Sequence, residues 1–79
     1  MAQEQEHGRI LIFINDERHF APSPTMTGAE LKRLGSVPPQ NNLFLEQPGP
    51  DPDRLITDDE VVELRSGFKF YDLPPAIRG

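Results

Sequence analysis

Thr27-Gly28-Ala29-Glu30-Leu31-Lys32-Arg33-Leu34-Gly35 decides the fold, because both ends of a helix are written into it. Thr27 and Glu30 have capping-box spacing: the Thr27 hydroxyl can accept from the Glu30 backbone N–H while the Glu30 carboxylate reaches back to Thr27. Leu31 and Leu34 fall on one face, and Lys32 and Arg33 stand near the negative end of the helix dipole. Gly35 occupies the place of a left-handed C-terminal cap. A helix this short does not persist alone, so it must lie on a sheet.

The sheet is written on both sides of it. Before the helix, Arg9-Ile10-Leu11-Ile12-Phe13-Ile14 is a β-branched and aromatic run of strand length. Asn15-Asp16-Glu17 is turn chemistry, and Arg18-His19-Phe20-Ala21 returns as the second arm of a hairpin. Both faces of the first strand are apolar, as in a strand that is central or keeps one face for a partner. After the helix, Asn42-Leu43-Phe44-Leu45-Glu46 alternates, with Leu43 and Leu45 on one face and Phe44 on the other. Leu55 and Ile56 make a short apolar contact ahead of the acidic turn Thr57-Asp58-Asp59-Glu60. Val61-Val62-Glu63-Leu64-Arg65 reads as the final strand, Ser66-Gly67 as a bulge in it, and Phe68, Phe70 and Tyr71 carry extended structure on to Asp72.

Nine prolines punctuate these segments, at positions where neither helix nor ladder could hold them. The expected organisation is a flexible leader over 1–8, one domain over 9–73 and an extended C-terminal tail over 74–79. Strand, strand, short helix, strand, strand is the order of an α+β β-grasp fold: a mixed four- to five-stranded sheet with one short helix packed across it.

Composition narrows the function. The chain has 79 residues and no cysteine, which removes disulfides, thiolate metal sites and cysteine nucleophiles. Thirteen acids against eight bases leave a net charge of −5, the wrong sign for a phosphate-backbone binder. Residues 1–8 contain no apolar core of a signal peptide, and no run approaches the ~20 apolar residues that span a bilayer. The expected compartment is the cytoplasm, with neither nucleic acid nor membrane as a partner.

Catalytic chemistry finds no footing. An EF-hand loop starting at Asp51 would need glycine at 56 and glutamate at 62, where Ile56 and Val62 stand, so the acidic stretch reads as a solvated turn. His7 and His19 have no counterpart, and His19 reads as a surface residue. Ser23, Ser36 and Ser66 lie in loops without a nucleophile-elbow context, and Gly28 and Gly35 are too far apart for a phosphate loop. No catalytic residue and no metal site is expected. What remains is surface and tail. Phe44, with Leu11 or Phe13 nearby, reads either as a partner-binding patch or as a ring partly covered by the 68–71 segment. In Asp72-Leu73-Pro74-Pro75-Ala76-Ile77-Arg78-Gly79 the proline pair ends the sheet. Eight extended residues reach about 25 Å, and a terminal glycine presents a carboxylate without a Cβ beside it.

The combination of the hairpin, Thr27-Gly28-Ala29-Glu30-Leu31, Asn42-Leu43-Phe44-Leu45, the acidic turn before Val61-Val62-Glu63-Leu64, and Phe68-Lys69-Phe70 resembles the ubiquitin-like proteins. Within them it is similar to the bacterial multiubiquitin type found in conjugation operons. The resemblance covers roughly residues 9–73. It implies a modifier that is not itself an enzyme. An activating enzyme using ATP and Mg would adenylate the Gly79 carboxylate and hold it as a thioester, and a conjugating enzyme would pass it to an amine of a target protein. A deconjugating protease would reverse the bond. This chain itself would bind no cofactor. Phe44 stands where such modifiers carry a recognition patch; Arg78 matches the basic residue before the terminal glycine and, with Ile77, would be read by the activating enzyme. Lys32 and Lys69, the only lysines, are the candidate side-chain acceptors. Ubiquitin-type tails end in two glycines, whereas Arg78 here precedes one. The alternatives are a sulfur carrier with a C-terminal thiocarboxylate and a non-covalent β-grasp interaction module.

Overall fold

The computed structural model describes residues 9–75. Its elements run β1 (Leu11–Ile14), β2 (Glu17–Phe20), β3 (Thr25–Thr27), α1 (Gly28–Leu34), β4 (Asn42–Leu45), β5 (Arg54–Ile56), β6 (Val61–Glu63) and β7 (Lys69–Leu73). The main sheet has five strands in the order β2-β1-β7-β4-β5, and β3 pairs with β6 in a separate two-stranded ribbon. Only β1 and β7 run parallel; β1–β2, β7–β4 and β4–β5 are antiparallel. This is the mixed sheet with one short helix that the sequence predicts.

The helix forms as its caps dictate. Glu30 N–H donates to Thr27 Oγ1 at 3.2 Å, and Thr27 N–H to the Glu30 carboxylate at 2.9 Å. The acidic turn supplies the next acceptors: Gly28 N–H donates to Glu60 O at 3.1 Å and Ala29 N–H to Asp58 O at 2.9 Å. The turn that could be mistaken for a metal loop thus satisfies backbone donors that a helix start leaves open. At the other end the expected role of Gly35 is corrected. Its φ is −89°, and the left-handed residue is Ser36, at φ 57°. Ser36 N–H donates to Arg33 O at 3.3 Å and Val37 N–H to Lys32 O at 2.8 Å, which is the Schellman pattern with Ser36 as its left-handed residue. Gly35 is instead required for close approach, since a Cβ there would meet Ile14 Cγ2 at 2.5 Å.

The expected final strand is also corrected. Residues 61–63 pair with 25–27, as Thr27↔Val61, Met26↔Val62 and Thr25↔Glu63, so a short strand precedes the helix directly. Ser66-Gly67 is a turn, not a bulge: Gly67 has φ 97°, its N–H donates to Leu11 O at 2.8 Å, and Ser66 Oγ accepts from Leu11 N–H at 3.1 Å. That turn hands the chain from the ribbon to β7, which enters the centre of the main sheet beside β1.

Strand alternation places one face of the sheet against the helix. Ile12 and Ile14 of β1, Leu43 and Leu45 of β4, Ile56 of β5 and Phe70 of β7 are buried there with Leu31, Met26, Val37, Val62 and Leu64. His19 lies opposite Ile12 and so joins this inner face, with its side chain 19% exposed, rather than standing free on the surface. Its Nε2 is 3.5 Å from the Glu17 carboxylate and makes no hydrogen bond.

Candidate functional site

The opposite face of the sheet is where the apolar residues without a place in the core collect. Alternation puts Phe20 of β2, Leu11 and Phe13 of β1, Tyr71 and Leu73 of β7, Phe44 of β4 and Leu55 of β5 on it. Phe20 is 55% exposed and Leu55 and Leu73 are each 48% exposed. Four strand spacings of ~4.8 Å make this face about 19 Å wide. Leu11, Phe13 and Phe44 share it, but not as neighbours. Phe13 lies opposite Lys69 and Phe44 opposite Tyr71, so β7 separates Phe44 from the two residues of β1.

Tyr71 is the residue of the 68–71 segment that partly covers Phe44, the second of the two expectations for that ring. Its ring stacks on Phe44 with centroids 5.3 Å apart and planes 15° from parallel, which leaves both half-buried. The hydroxyl donates to Asp53 Oδ2 at 2.7 Å, and Asp53 Oδ1 accepts from Gln47 N–H at 3.0 Å. The Tyr71 and Gln47 bonds hold the Asp53 carboxyl below the usual carboxylate range. The same bond to Asp53 raises the Tyr71 hydroxyl above its ordinary value. One carboxylate thereby pins the proline-rich loop between β4 and β5 to the patch. The signal for Tyr71 was available: it shares parity with Lys69, and its face follows once β7 is recognised as a strand of its own. Arg9 adds a cation on the β2 side, its guanidinium carbon 4.6 Å from the Phe20 ring centroid.

The two lysines are placed differently. Lys69 is exposed on the outer face. Lys32 is buried in α1, its Nζ donating to Pro39 O at 3.0 Å and lying 2.8 Å from Asp58 Oδ1. An ammonium held this way is poorly placed to attack anything.

At the end of β7 lies a second cluster. Asp72 Oδ1 accepts from Asn15 Nδ2 at 2.6 Å and Asp72 Oδ2 from Asn41 Nδ2 at 2.8 Å, while Asp72 N–H donates to Asn15 Oδ1 at 3.3 Å. The Asn41 bond, then the Asn15 bond, lowers the Asp72 carboxyl below its ordinary range. Leu73, Pro74 and Pro75 follow and are exposed. Ile77, Arg78 and Gly79, the expected tail-recognition and conjugation residues, lie outside the described residues.

Among the described residues no three His, Cys, Asp or Glu side chains gather as a metal site. Nor does any helix among them have the length and apolarity to cross a membrane. A five-stranded mixed sheet with a parallel central pair, one short helix beneath it and an aromatic outer face define a ubiquitin-like β-grasp domain. Residues 10–71 match the family described as Multiubiquitin, and the chain belongs to that family. No curated protein and no solved structure matches it.

Proposed function

We propose that the chain is a protein modifier rather than an enzyme, and that its Gly79 carboxylate is the group transferred. The Multiubiquitin match over nearly the whole folded domain carries this reading. The course of β7 supports it: the central strand of the sheet leads directly into Pro74-Pro75 and so towards the tail.

The chemistry balances as an acyl transfer. The carboxylate attacks the α-phosphate of ATP, with Mg on the phosphates, and pyrophosphate leaves. A cysteine thiolate of the activating enzyme displaces AMP to give a thioester. Passed to a conjugating enzyme, the acyl group is taken by a lysine amine, which loses a proton as the thiolate departs. An amide replaces the thioester, and a deconjugating protease would hydrolyse it. The catalytic groups belong to these partners, and this chain supplies a handle and a docking face. Since ATP is consumed, the cytoplasm is the expected site. Lys69, exposed on the outer face, is the side-chain acceptor if copies are linked into chains, because Lys32 Nζ is held by Pro39 and Asp58.

ATP–pyrophosphate exchange with the activating enzyme of the same source tests the first step. Exchange that depends on the full chain and vanishes when Gly79 is removed supports the proposal; exchange that ignores Gly79 contradicts it. The outer face favours one second reading, a non-covalent interaction module. In that case Phe44→Ala would abolish partner binding while loss of Gly79 would change nothing.

A further inference from the structure

We propose that Asp72 is a positioning residue for the tail, locking the end of β7 through Asn15 and Asn41 so that Leu73-Pro74-Pro75 leaves the sheet in one direction. The proposal rests on the reading that the tail carries the transferred carboxylate.

Pairing between β1 and β7 ends at Ile14↔Phe70, followed by one bond from Asn15 N–H to Phe70 O at 2.8 Å. On the other side β4 continues to pair with β7, up to Asn42↔Leu73. Beyond Phe70, therefore, the last three residues of the strand have a backbone partner on one side only. Asp72 stands in the middle of that one-sided stretch. Its two carboxylate oxygens reach two different segments: Asn15 in the β1–β2 turn and Asn41 at the entry to β4. Asn15 both donates to the Asp72 carboxylate and accepts its N–H, so the missing β1 ladder is continued by a side chain.

Both amides are themselves held. Asn15 has φ 53° and Asp16 φ 67°, the two positive values of a type I′ hairpin turn. Asn41 N–H donates to Pro38 O at 3.0 Å. A carboxylate gripped by two fixed amides has a defined direction, which a flexible lysine partner would not give it. The residue after next is Pro74, whose ring locks φ and restricts the backbone of Leu73. A direction set at Asp72 is thus transmitted outward by a stiff proline pair instead of being lost at the first joint.

Rate should follow geometry, because a 1 Å displacement of a reacting group can cost on the order of 100-fold in rate. The experiment compares the full-length wild type with Asp72→Ala, Asn41→Ala, Asn15→Gly and the Asn15→Gly/Asn41→Ala double variant; glycine at 15 keeps the turn and removes only the amide. Two quantities are read well below every melting midpoint: ATP-dependent charging by the activating enzyme, and backbone 15N relaxation at Leu73. Asp72→Ala should lower kcat/KM about tenfold, each single Asn variant less, and the double variant as much as Asp72→Ala. The Leu73 order parameter should fall from about 0.85 towards 0.6 in step. Lower melting midpoints with unchanged charging per folded molecule would overturn the proposal, as would an unchanged Leu73 order parameter. If the wild type is not charged at all, the modifier reading fails instead, and relaxation alone decides whether Asp72 orders the strand end.

Discussion

Gly28 shows how a single residue is chosen against its own helix propensity. Alanine favours a helix interior by about 1 kcal/mol over glycine, yet a Cβ at Gly28 would collide with the Thr57 carbonyl oxygen of the capping turn. Because backbone cannot step aside, Gly28→Ala should destabilise the domain by roughly 1–3 kcal/mol in urea unfolding; an unchanged midpoint would show that the turn is not seated there. Lys32 and Lys69 divide in the same way, by surroundings and not by type. Lys32→Met should lower stability by roughly 1–3 kcal/mol, since the Pro39 carbonyl and Asp58 lose a charged donor. Lys69→Arg should leave stability unchanged and remove side-chain linkage between copies, read by intact mass of the conjugates.

At the scale of elements, the Phe44–Tyr71 stack joins β4 to β7 across the outer face. A double-mutant cycle with both rings changed to leucine should return a coupling of about 0.5–1.5 kcal/mol; additive losses would mean that the rings merely sit side by side. Two carboxylates, Asp53 bonded to the Tyr71 hydroxyl and Asp72 near the end of β7, contribute to the acid sensitivity of the fold. Asp53 and Asp72 are both lowered in the folded state, so their contributions are complete above the ordinary carboxylate value near ~4 and are lost as pH falls through the lowered values. Tyr71 is raised, so its contribution is present below ~10 and is lost as pH rises through the raised value. Chemical denaturation from pH 2 to 11 should give a plateau with a fall at each end, and Tyr71→Phe should soften both. The helix was legible residue by residue because its capping box is local, and so was the alternation of Leu43, Phe44 and Leu45. The role of β7 was not, since the Ser66-Gly67 turn only becomes a handover once Leu11 is there to accept from Gly67. The same non-local cause hid β3, the Tyr71–Asp53 bond and the Asn15–Asp72–Asn41 clamp.

Across the whole molecule, the two faces of one sheet divide the work. The inner face is closed by α1 and holds the fold; the outer face keeps an aromatic band with Lys69 and Arg9 beside it, on a chain whose net charge is −5. A docking partner should therefore present apolar groups to this band. The strand that completes the core is also the one that leads into Pro74-Pro75, so the proposed transfer of the Gly79 carboxylate would tie delivery to folding. Intact-mass spectrometry of the full chain, incubated with its activating enzyme, ATP and Mg, tests that link most directly. The expected product is an ATP-dependent thioester adduct that is cleaved by free thiol and is absent when Gly79 is deleted. An adduct that survives that deletion, or a wild-type chain that never forms one, would contradict it.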